Sequence, residues 1–92
     1  DYTSWSEAAI LFDDFETEKL DLAEIPLADY YSAKLYAGIQ YVDVLLAWQN
    51  QKVALVDSNV PDELSEIFRG NGWLVYQCDA LDLDEMKHRF EE

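Results

Sequence analysis

The chain has 92 residues, 50% hydrophobic and 28% charged, which excludes a collagen-like, low-complexity or wholly disordered polymer and leaves material for one modest core. Acids outnumber bases 20 to 6, a formal charge of −14, spread evenly as 10 acids and 2 bases in residues 1–46 and 10 and 4 in residues 47–92. A field of that sign repels phosphate and argues against a free-standing DNA or RNA binder.

Taken in chain order, Ser4-Trp5-Ser6-Glu7 has capping-box spacing, and Trp5, Ala8, Ala9, Phe12 and Phe15 follow at helical period. A helix is expected from Trp5 to Glu16, frayed at its end because Asp13, Asp14, Glu16 and Glu18 oppose the macrodipole there. Residues 17–29, with Pro26 and aperiodic leucines, read as a connection. Tyr30 to Ala37 is ambiguous and stops at Gly38. Gln40 to Trp48, rich in Val, Leu and Tyr, reads as a strand. The polar turn Gln49-Asn50-Gln51 leads into Lys52 to Asp57, a short continuous apolar strand of the kind buried on both faces. Ser58-Asn59-Val60-Pro61 opens a helix with Pro61 in its first turn and Leu64, Ile67 and Phe68 as its apolar stripe. Gly70-Asn71-Gly72 ends it. Trp73 to Cys78 is a further strand, and Asp82 or Asp84 caps a last helix with Met86, Phe90 and Leu83 facing inward. The order α, β, β, β, α, β, α implies a three-strand meander, then a parallel crossover through a helix.

A single cysteine, Cys78, excludes an internal disulfide, and no C-x-x-C zinc pattern is present. A reducing, cytoplasmic setting is the expectation. No apolar run approaches the ~18 residues that span a bilayer, and no signal peptide is visible. The start at Asp1 leads us to expect one domain over residues 1–92, cut from a longer protein.

The succession YVDVLLAW, KVALVD, helix, GWLVYQCD resembles the restriction-endonuclease-like fold, above all its very-short-patch-repair type. More narrowly, LLAWQNQKVALV…FRGNGWLVYQCD looks like a degenerate copy of that domain at the carboxyl end of some large bacterial DEAD/DEAH-box helicases. The resemblance covers residues 40–78, and the flanks match by element order alone. It implies an α/β fold of αβββαβα order with a mixed four-stranded sheet flanked by helices.

An active nuclease of this type needs acids converging at the ends of adjacent strands to hold Mg²⁺ and activate a water. The resemblance places Asp43 at the first acid and Leu55 at the second, and there the pattern fails. Asp57 lies two residues on, on the side of Leu55 but roughly 6–7 Å further along. Lys52, the base of that strand, lies three residues before Leu55, on the opposite face and upstream of the expected lysine. Asp43, Asp57 and Lys52 are therefore vestigial candidates, and no catalytic residue, metal or cofactor is assigned. Leu55 is expected to pack in a dry core against Phe12 or Phe15, or against Leu64 and Phe68.

Ordinary readings stand beside these. Asp43 serves as a solvated strand residue, Asp57 as a strand end, and His88, between Lys87 and Arg89, as a solvated helix position rather than a partner of Cys78. Trp48 and Trp73 serve as core and sheet-end packing rather than a ligand platform. The acidic stretches Asp13–Glu18 and Asp79–Glu85 are solvated faces, and Asp82-Leu83-Asp84 lacks the Gly and final Glu of an EF-hand loop.

Three functions follow. The first is a catalytically silent endonuclease-like accessory domain, not itself an enzyme, whose partner is another protein or the rest of its own parent chain. It works inside a larger nucleic-acid-processing enzyme of the DEAD/DEAH-box helicase kind, without direct nucleic-acid or membrane binding of its own. The second is an acidic DNA mimic or inhibitor, for which −14 is apt. The third is an active Mg²⁺ nuclease using Asp43, Asp57 and one of Asp13, Asp14 or Glu16.

Overall fold

A computed structural model describes residues 3–11, 17–36, 38 and 40–91. In chain order it contains α1 (Trp5–Ala8), a 3-10 turn (Ala9–Leu11), α2 (Thr17–Leu22), β1 (Tyr30–Tyr36), β2 (Tyr41–Trp48), β3 (Val53–Val56), α3 (Asp62–Gly70), β4 (Leu74–Gln77) and α4 (Leu83–Glu91). The chain divides into two compact units, Asp1–Leu27 with Asp82–Glu92, and Ala28–Leu81.

In the first unit the Ser4 hydroxyl accepts the Glu7 amide at 3.3 Å, the cap its spacing implies. Glu7 reaches back one residue further than a capping box. Its carboxylate accepts the Thr3 N–H at 2.8 Å and the Thr3 hydroxyl at 3.0 Å, and these donors hold its pKa below the ordinary carboxylate value. The continuous helix expected from Trp5 to Glu16 is not formed. α1 ends at Ala8 and tightens into the 3-10 turn, leaving Ile10 79% exposed. The expected contributions of Phe12, Phe15, Asp13, Asp14 and Glu16 lie outside the described residues. α2 instead occupies part of the expected connection. Acids that oppose a helix when they end it favour one when they begin it, and Glu18 stands in the first turn of α2. The Trp5 indole N–H donates to the Ile25 carbonyl at 2.8 Å, both residues buried. In α4, Asp82 is the cap, accepting the Glu85 amide at 3.0 Å, and Met86 is fully buried. Leu83 and Phe90 are half-buried.

The second unit carries a four-stranded mixed sheet in the order β1-β2-β3-β4. β1 pairs antiparallel with β2, β2 antiparallel with β3, and β3 parallel with β4, as the element order implied. The ambiguous stretch at Tyr30 is a true strand, and Ser32 within it has φ +47°. β3 is buried at all of its positions. Ala54 and Val56 share a core with Leu35, Val42, Ala47 and Phe68. Phe68 anchors α3 there, its ring 5.3 Å from that of Trp73. Arg69 of α3 donates to the Val75 carbonyl at 3.1 Å, tying the helix to β4. Pro61 occupies the cap position of α3, one residue before its first turn, where its missing N–H has no helical partner to lose. Among the described residues no helix is long and apolar enough to cross a membrane.

Candidate functional site

The β2–β3 ladder runs from Trp48↔Val53 to Leu46↔Leu55. Beyond that pair the two strands part. β2 continues back past Leu45 to Val44 and Asp43, which pair with Ala33 and Lys34 of β1. The chain after β3 turns away through Asp57–Val60, closed by the Val60 N–H donating to the Asp57 carbonyl at 3.1 Å, and enters α3. A cleft of about 280 Å³ lies where they part, with Asp43, Asp57, Asn59 and Ser32 as its polar lining and Ala33, Val44, Leu45 and Val60 as its apolar lining. The fold thus brings Asp43 and Asp57 to one cleft, although they are not neighbours in any strand pairing.

Neither carboxylate is buried. Asp43 lies directly opposite Lys34 in the register and receives its ammonium at 2.8 Å, with side chains 75% and 70% exposed. Asp57 accepts the Ser58 hydroxyl at 3.4 Å. Its charge also acts on Cys78, whose backbone N–H donates to the Val56 carbonyl at 3.0 Å. Burial first, then the charges of Asp57 and Asp79, push the Cys78 thiol above its ordinary pKa.

Lys52 stands apart, at the amino end of β3. It has φ +57°, and its Nζ lies 3.4 Å from the Asn71 carbonyl. Leu55 is completely buried, as expected. Its expected contact with Leu64 and Phe68 is replaced. Those residues pack with Ala54 and Val56, and strand alternation puts Leu55 on the other face. Trp48 is buried, Trp73 rests on Phe68, and His88 is exposed on α4. Among the described residues no three His, Cys, Asp or Glu side chains converge as a metal site.

Nothing in the sequence marked Ser32 and Asn59 as lining the cleft. Asn59 belongs to a turn signal that reads equally as a helix entry. The left-handed backbone of Ser32 has no local signature, since serine does not favour that region.

Chemically the cleft offers carboxylate, amide and hydroxyl oxygens over a small apolar floor. It suits hydrogen-bond donors and positive charge rather than phosphate. No family model, curated protein or solved structure matches the chain.

Proposed function

We propose that this chain is a catalytically silent endonuclease-like domain that serves as an interaction module within a larger nucleic-acid-processing enzyme of the DEAD/DEAH-box helicase kind. The observation that carries the reading is the state of the second-acid position. Leu55 is 0% exposed in the strand, where a working nuclease of that type would present a carboxylate to a hydrated metal. Asp43, at the first-acid position, already holds Lys34. Mg²⁺ needs several oxygen ligands and gives up water reluctantly, so two exposed carboxylates, one of them paired with a lysine, are a poor seat for it. The excess of negative charge supports a protein partner over a nucleic-acid one.

Incubation with supercoiled plasmid and Mg²⁺ or Mn²⁺ tests the reading. The expected result is no metal-dependent nicking above a buffer control, and no change with Asp43→Ala. Nicking that requires the metal and disappears in Asp43→Ala would overturn it. A P-loop Gly-Lys-Ser/Thr and an Asp-Glu-x-His box in the same polypeptide would support the helicase context.

A further inference from the structure

Resting on the reading as an interaction module, the open end of the sheet narrows the kind of partner. Among the described residues the β2–β3 ladder covers Leu46–Trp48 of β2 and stops. Asp43, Val44 and Leu45, the β2 residues that line the cleft, therefore have no β3 partner on the side away from β1, an edge of the sort that accepts an added strand. The charge of the cleft is a separate observation. Asp43 shares its charge with Lys34, whereas Asp57 has the Ser58 hydroxyl and no cation within ion-pair reach among the described residues. Size is a third. At about 280 Å³ the cleft falls just below the usual range for small-molecule sites. Its floor of Ala33, Val44 and Val60 would take an alkyl stem, leaving the polar head at the acidic rim.

We infer that the cleft receives a basic side chain from an extended segment of a protein partner. The segment adds to the free edge of β2, and its arginine or lysine head pairs with Asp57. A second copy of this chain is a poor occupant, because two bodies of −14 repel. A phosphate backbone would meet Asp57 unfavourably. The chemistry that fits is a cationic head on an apolar stem, carried by a backbone with donors and acceptors to spare.

The test is an amide-shift titration of the ¹⁵N-labelled chain with the capped peptide Thr-Val-Arg-Val-Thr and its citrulline counterpart, which keeps the shape and loses the charge. The arginine peptide should shift amides within 42–45 and 57–60, and the citrulline peptide should bind more weakly. Asp57→Asn should weaken the arginine peptide about fivefold, as expected for a partly exposed ion pair. Glu63→Gln, the same charge change on α3, should leave it unaltered. Equal binding of the two peptides, equal loss in the two variants, or shifts elsewhere would each overturn the inference. So would a short DNA duplex moving the same amides. The parallel titration with MgCl₂ separates the two levels of argument. Failure of the peptide with Mg²⁺ silent removes this inference and leaves the non-catalytic reading standing. Mg²⁺ shifting the cleft amides while the peptide does not would remove both.

Discussion

Leu55 is the residue on which burial bears most directly. Its side chain is wholly enclosed, so truncation leaves a cavity, and Leu55→Ala should cost about 2–5 kcal/mol by urea unfolding. Leu55→Glu should be worse, because an enclosed carboxylate without partners is expensive. A Leu55→Glu protein that folds normally and binds Mg²⁺ by calorimetry would mean the position is open. Cys78 gives a second check near the cleft. Burial and the neighbouring Asp57 and Asp79 charges raise its thiol pKa, so iodoacetamide should react slowly at neutral pH and speed up above the ordinary thiol range. Asp57→Asn removes a repelling charge and should move that rate profile to lower pH. The sign for stability follows from the same shift. The unfolded chain loses the proton first, so the contribution of Cys78 is present below the ordinary thiol pKa and lost as pH rises through the folded value.

Among the elements, the turn from β2 into β3 is one place where the backbone is constrained. Lys52 there is a non-glycine residue at φ +57°, a region costly to a side chain with a Cβ. The hydrogen bond it gains, 3.4 Å to the Asn71 carbonyl, is long. Lys52→Gly should therefore stabilise the fold by about 1 kcal/mol, read as a higher urea midpoint at unchanged slope. A loss would show that the Nζ contact matters more than its length indicates. The first helix illustrates the converse limit. Periodicity favoured one helix through Glu16, but a short helix is marginal without tertiary support. An acid such as Glu18 is worth more at the start of the next helix, where it stands, than at the end of this one. Residue pattern alone does not say which end such an acid serves.

For the molecule as a whole, the charge of −14 is a source of self-repulsion in the compact state. Raising NaCl from about 10 mM to about 500 mM shortens the screening length severalfold and should raise the thermal midpoint. Each kcal/mol gained would appear as about 4–8 °C in a chain of this size. A midpoint that falls with salt would point to specific ion pairs outweighing repulsion. The ion pair at Lys34–Asp43 is too exposed to reverse the trend.

The strand meander, the parallel β3–β4 pair, the helix between them, the cap at Ser4 and, as one of two alternatives, the cap at Asp82 were legible in the residues. They depend on local periodicity, turn chemistry and the reach of short side chains, all fixed within a few positions of sequence. The burial of Leu55 was legible for the same reason, since a continuous apolar run has no solvent face. Its neighbours were not. Which face of β3 meets α3 depends on where the helix docks, and that is decided by Phe68 and Trp73 packing against Ala54 and Val56. A shared site for Asp43 and Asp57 was among the readings of the sequence, but the cleft itself, with Ser32 and Asn59 in its lining, was not. Asp43 and Asp57 meet at one cavity because β2 outlasts β3 and the β3–α3 loop turns aside. Strand alternation predicts which way a side chain points, whereas the place where two strands part is set by the packing of everything beside them.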